Sequence, residues 1–131
     1  LRRLCPDCKL QVKANTAEEN MISASILEMP AEYQKEFLSK DGYTIYKPNK
    51  ENPCKKCGGK AFKGRIGIFE MMEMTDELEK IILGTISEAA MRAEAKRQGM
   101  ITMFQDGILK VLQGLVSLEE LLEVAQAGDS A

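Results

Sequence analysis

The chain has 131 residues, 18 basic and 20 acidic side chains and a formal net charge of -2, and it contains neither histidine nor tryptophan. That length allows one domain or two small ones with a modest core, for which a metal staple matters. Lack of histidine removes the commonest general base and the commonest non-thiolate zinc ligand, and no long apolar run or signal-peptide pattern marks a membrane span or export.

The small net charge hides two unlike halves. Residues 1–65 carry 13 basic and 8 acidic side chains, whereas residues 66–131 carry 5 basic and 12 acidic. The stretch 54–65 holds Lys55, Lys56, Lys60, Lys63 and Arg65 and no acid. Such a cluster can offset thiolate charge on a metal site, meet an acidic partner, or bind nucleic acid.

The chain opens on Leu1-Arg2-Arg3-Leu4, without methionine, and reads as a cut through a longer protein. All four cysteines follow in two brackets, Cys5-Pro6-Asp7-Cys8 and Cys54-Lys55-Lys56-Cys57. Two C-x-x-C pairs supply four sulfurs, the full shell of a structural tetrahedral zinc, which leaves no position for water or substrate. Two disulfides or a redox dithiol are the other readings of four cysteines.

Between the brackets, Thr16-Ala17-Glu18-Glu19 reads as a capping box opening a helix over 17–27. Pro30 suits the first turn of a second helix to about Leu38, with Tyr33 and Phe37 four apart. Tyr43 to Pro48 has strand character and 49–53 reads as loop. The spacer between the brackets is thus expected to form a helical hairpin, and it is longer than the spacing of about 15–20 residues usual in zinc ribbons. Gly58-Gly59 lets the chain turn after the second bracket.

A strand is expected over 65–73, with Ile66 and Ile68 on one side and Phe69 and Met71 on the other, so it asks for burial on both faces. Thr75 caps a helix to Leu83 and Ser87 another to Gln98, stopped by Gly84 and Gly99. Thr102-x-x-Gln105 opens a third, carrying the stripe Ile108, Leu109, Val111, Leu112 and Leu115, with Gly107 as a weak point worth up to about 1 kcal/mol. Ser117-Leu118-Glu119-Glu120 reads as a capping box for a fourth, and residues 128–131 are expected to fray. Met71, Met72, Met74, Met91, Met100 and Met103 read first as flexible core filler, or else as an adaptable partner surface. The fold class is therefore mainly α: a zinc-stapled helical module with a short strand or hairpin over 1–64, then the strand 65–73 and a C-terminal helical bundle over 65–131.

Several segments together resemble the C-terminal part of the secretion ATPases that power type II secretion, type IV pilus assembly and DNA-uptake pseudopili. They are Leu4-Cys5-Pro6-Asp7-Cys8-Lys9, Cys54-Lys55-Lys56-Cys57-Gly58, Lys63-Gly64-Arg65-Ile66-Gly67-Ile68-Phe69-Glu70, Met74-Thr75-Asp76-Glu77-Leu78, Gly99-Met100-Ile101-Thr102-Met103 and Asp106-Gly107-Ile108. The chain departs from the family in having Pro53 where a glycine usually precedes the second bracket and Lys60-Ala61-Phe62 where Thr-Gly-Tyr usually follows. Those changes bear on turn geometry more than on ligand identity.

The resemblance implies that Cys5, Cys8, Cys54 and Cys57 are zinc ligands and that Arg65 lies near the base of a nucleotide in the assembled enzyme. It implies a hexameric parent, with ATP and Mg²⁺ held by parts of the protein N-terminal to Leu1. No G-x-x-x-x-G-K-[ST] occurs here, so this chain by itself is expected not to hydrolyse ATP. Implied partners are the parent's ATPase core, neighbouring subunits and the cytoplasmic domains of inner-membrane platform proteins, placing the protein in the cytoplasm at the bacterial inner membrane. The strand over 65–72 resembles one that joins the core sheet; alone, it is expected to pair within the chain or with a second copy. The competing readings are a stand-alone zinc-centred nucleic-acid or protein-interaction module and a thiol redox protein. The acidic second half and scarce aromatics speak against nucleic acid.

Overall fold

The computed structural model describes residues 1–128. Two short antiparallel ladders nest one inside the other. The outer ladder pairs β1 (Arg2–Leu4) with β4 (Phe62–Arg65), placing Arg2 opposite Arg65 and Leu4 opposite Phe62 around an irregularity. The inner ladder pairs β2 (Leu10–Lys13) with β3 (Thr44–Lys47), in unbroken register from Leu10 and Lys47 to Lys13 and Thr44. The expected strand near 43–48 is therefore present. Its partner β2 is too short for its alternation to stand out from loop.

The inner ladder carries the helical hairpin, α1 (Thr16–Leu27) and α2 (Ala31–Phe37). The first cap lies one residue earlier than expected: Asn15, not Thr16, accepts from the Glu18 N–H at 3.0 Å, and the Glu18 carboxylate accepts from the Asn15 N–H at 2.8 Å. Both capping boxes fit the sequence, and the Asn15 amide oxygen takes the cap, in keeping with the higher N-cap preference of Asn over Thr. Gln34 closes the α1–α2 joint by donating its amide to the carbonyls of Leu27 at 3.1 Å and Met29 at 2.8 Å, which the end of α1 leaves without helical partners.

Four helices follow: α3 (Asp76–Leu83), α4 (Glu88–Arg97), α5 (Met103–Leu112) and α6 (Leu118–Gly128). Thr75, Ser87 and Thr102 cap α3, α4 and α5 as expected. Ser117 accepts from the Glu120 N–H at 3.3 Å, but the Glu120 carboxylate turns to Arg2, at 2.8 Å from its backbone N–H and 2.6 Å from Nη2. A charge-assisted pair outcompetes the reciprocal half of the cap. The helices pack as two pairs, α3 with α4 and α5 with α6, and α5 also packs on α1 and β3. Fraying was expected over 128–131; residues 129–131 lie outside the described residues.

The core joins the excursion to the last helix pair. Ile22, Ile26 and Met29 of the hairpin, Ile45 of β3, and Ile108, Val111, Val116 and Leu121 are all within 2 % of full burial. Gly107 sits inside this contact. A Cβ there would lie 3.0 Å from Cδ2 of Leu121 and closer still to Cδ1, so the glycine lets α5 and α6 approach.

The strand expected over 65–73 is corrected. The ladder takes Phe62 to Arg65, and residues 66–75 carry no regular structure. A partner strand exists only for the first residues, and backbone groups beyond it are taken by side chains. Asp106 accepts from the Phe69 N–H at 2.8 Å and Gln98 brackets both backbone groups of Glu73 at 2.8 and 3.0 Å, while the segment's own Glu70 side chain accepts from the Met103 N–H at 3.2 Å. Ile66 and Ile68 pack on the core, whereas Phe69 and Met71 remain 61 % and 80 % exposed. The methionine reading is corrected with it: Met71, Met74 and Met103 are bare, so core filling does not describe them.

Candidate metal centre

Each cysteine bracket is a turn whose ends are fixed by the outer ladder. In the first, the Cys8 and Lys9 N–H groups donate to the Cys5 carbonyl at 3.4 and 3.1 Å. In the second, a 3-10 turn spans Lys55–Cys57 and Gly58 closes it in the left-handed region at φ 63°. The Cys5 N–H donates to the Ala61 carbonyl at 3.0 Å, which ties one bracket to the exit of the other.

The four Sγ atoms lie within 4.8 Å of one another. Sγ of Cys5 and Cys54 are 3.6 Å apart, Cys8 and Cys57 3.9 Å, and Cys54 and Cys57 3.7 Å. All four thiols are free, at separations far beyond the bond length of about 2.05 Å of a disulfide. A tetrahedron with metal–sulfur bonds of about 2.3 Å has edges of about 3.8 Å, so the spacing fits a thiolate-bound dication. Cys5 and Cys57 are buried and Cys8 and Cys54 half-buried.

The sulfurs differ in how readily they give up a proton. Burial opposes charge on Cys57, but backbone N–H groups of Ala61 and Lys60 and the neighbouring sulfurs Cys54 and Cys8 outweigh it and hold the thiol down to about 7. On Cys8 a backbone contact from Cys54 favours the thiolate, yet burial and the three other sulfurs prevail and push it up to about 12. Crowding of the four sulfurs thus favours the thiolate at Cys57 and disfavours it at Cys8. Lys56 pairs with Asp7 across the brackets at 2.7 Å and feels the Cys54 and Cys5 sulfurs. The rest of the basic cluster, Lys55, Lys60, Lys63 and Arg65, is exposed.

The centre is latched to the turn between α5 and α6. Leu4, just before the first bracket, donates its N–H to the Leu115 carbonyl at 2.9 Å. Lys9, just after it, donates to the Gly114 carbonyl at 2.7 Å and lies 4.3 Å above the Tyr46 ring. These contacts join residues over 100 positions apart, and no local motif announces them.

The departure from the family's Thr-Gly-Tyr has a structural answer. Ala61 is the one described non-glycine residue with positive φ, at 61°, and it is fully buried. The turn needs a left-handed residue, and alanine takes the strained place. Arg65 lies exposed at the end of the outer ladder away from the brackets.

Residues 1–123 match the family described as type II/IV secretion system protein. The chain is 33 % identical over 122 residues to a type IV pilus assembly ATPase PilB of Thermus thermophilus, covering 93 % of this chain and 12 % of that protein. It is 31 % identical over 122 residues to the PilB of Myxococcus xanthus, covering 92 % and 19 %. With the type II secretion system ATPase E of Vibrio cholerae it shares 29 % identity over 126 residues, covering 96 % and 22 %. The chain thus spans less than a quarter of the length of each of these relatives.

Proposed function

The chain belongs to the type II/IV secretion system protein family, and on that premise we propose that it is the C-terminal zinc-binding and helical region of a hexameric secretion or pilus-assembly ATPase. The observation that carries this reading is the four-sulfur cluster at the neck of the nested ladders. Cys5, Cys8, Cys54 and Cys57 hold Zn²⁺, which clamps the base of the α1–α2 excursion. The ion is structural: four thiolates fill its shell and leave no site for chemistry. ATP and Mg²⁺ are bound elsewhere in the parent enzyme, and Arg65 approaches the nucleotide there.

The bare side of residues 66–74, with Phe69 and Met71, is the face that meets the ATPase core, or a second copy when the core is missing. Light scattering reads the latter: a monomer at all concentrations would refute self-association. The excursion docks on cytoplasmic domains of inner-membrane platform proteins, which puts the assembly in the cytoplasm at that membrane. No described helix is long and apolar enough to cross a membrane.

Two measurements test the reading. Protein purified without added metal is expected to carry one zinc per chain by elemental analysis; a content far below that sinks the metal assignment. Deleting residues 16–50 in the parent is expected to abolish binding to platform proteins, and unchanged binding would place docking elsewhere.

A further inference from the structure

The excursion has a charge of its own. Residues 16–38 hold Glu18, Glu19, Glu28, Glu32 and Glu36 against a single base, Lys35. It is an acidic projection on a basic half-chain. Apolar side chains stay bare on the same helix, Met21 at 37 % and Leu27 at 55 % exposure.

Where α1 lies against the start of α5, a groove of about 290 Å³ opens between Met21, Ala24, Ser25, Glu28, Phe104 and Gln105. Its size is at the lower edge of the range of about 300–1,000 Å³ typical of small-molecule sites, and suits an anchoring side chain. Two features mark it as incomplete. Ser25 is only 8 % exposed, and its Oγ is the one buried side-chain polar atom among the described residues with no hydrogen-bond partner. Folding therefore forfeits a hydrogen bond this hydroxyl makes in water. Glu28 is the C-cap of α1, whose last turn contains no basic residue; Lys96 and Arg97 line a second hollow with it, but no ion pair reaches its carboxylate among the described residues. A carboxylate at the negative end of a helix is an unfavourable placement that a cation would reverse.

We propose that this groove docks a cationic amphipathic segment of a partner protein. An apolar side chain of the segment enters between Met21 and Phe104. A donor beside it reaches Ser25 Oγ, and a lysine or arginine pairs with Glu28. Leu27, exposed on the same helix, extends the apolar side of the match. The inference deepens the docking role assigned to the excursion and rests on that reading for the partner being a protein.

The test titrates the isotope-labelled chain with a synthetic amphipathic leucine–lysine peptide and with its leucine–glutamate counterpart. Expected are amide shifts over 21–28 and at Phe104 and Gln105 with the first peptide and none with the second. Glu28→Lys is expected to weaken binding by roughly tenfold or more, and Met21→Ala to weaken it with the charge intact. Glu36→Lys, outside the groove, is expected to change affinity by less than about threefold. Shifts that miss the groove, or equal losses from Glu28→Lys and Glu36→Lys, would overturn the proposal. If the peptide seats in the groove while loss of residues 16–50 leaves platform binding intact, the docking role fails and the groove stands. The reverse pair of results removes the groove alone.

Discussion

Two small residues show how backbone and packing set opposite demands. Ala61 occupies a left-handed turn that costs an alanine about 1–2 kcal/mol. Ala61→Gly is expected to be near neutral or stabilising by chemical denaturation, because strain relief offsets a lost buried methyl worth about 0.8 kcal/mol. Ala14→Gly, at a buried site without positive φ, is expected to cost about 1–2 kcal/mol; equal losses at the two sites would refute strain at Ala61. Gly107 is the reverse case. On helix propensity alone Gly107→Ala gains up to about 1 kcal/mol, yet its methyl would drive into Leu121. Overpacking costs about 1–3 kcal/mol, so the denaturation midpoint is expected to fall. Glu94 supplies a pH signature. Its carboxylate, 5 % exposed, accepts from Arg97, Gln98 and Thr75, and these partners hold its pKa down to about 2 against an ordinary 4.5. A depressed carboxyl stabilises the fold fully above its unfolded value and loses that contribution as pH falls from about 4.5 toward 2. Glu94→Gln is expected to flatten the stability profile across that window, and an unchanged acid limb would show that other carboxylates govern it.

At the scale of elements, each ladder is too short to stand alone. Strands of three and four residues give few hydrogen bonds and little buried surface. The outer pair has the brackets as its continuation, so a metal held at the proposed centre and strand pairing would support each other. Apparent zinc binding of about 10–16 kcal/mol is ample to order such a module. Chelation is therefore expected to raise hydrogen exchange over 1–13 and 44–65 first. The Leu4 and Lys9 contacts should then carry the loosening to the α5–α6 turn. Exchange that stays unchanged in the two ladders after metal loss would show that they hold without the ion. The segment 66–74 illustrates the other way to satisfy an edge. Asp106 and Gln98 stand in for a missing strand, leaving one side of the segment bare.

Across the whole molecule, the α1–α2 excursion and the last helix pair share one core, so the cysteine neck, the projection and α5–α6 form a continuous body. Local signals were legible in advance because they depend on neighbours in sequence. The C-x-x-C spacing, the caps at Thr75, Ser87 and Thr102, and the glycine stops at Gly84 and Gly99 are decided within a turn of chain. Even there, two overlapping capping boxes left Asn15 and Thr16 to be separated by geometry. The strand over 65–73 misled because apolar alternation shows what a segment can do, while pairing depends on whether a partner strand is within reach. Glu120 likewise reads as a cap until Arg2, 118 positions away, arrives at its carboxylate. The sequence by itself determined the two cysteine brackets, most helix boundaries and the family, since each follows from residue type and short-range spacing. Only the tertiary structure decided that the brackets converge, that Lys9 and Leu4 latch them to the α5–α6 turn, and that Ser25 and Glu28 face an unfilled groove. Those outcomes follow from long-range packing, in which distant side chains compete for the same space and the same hydrogen bonds.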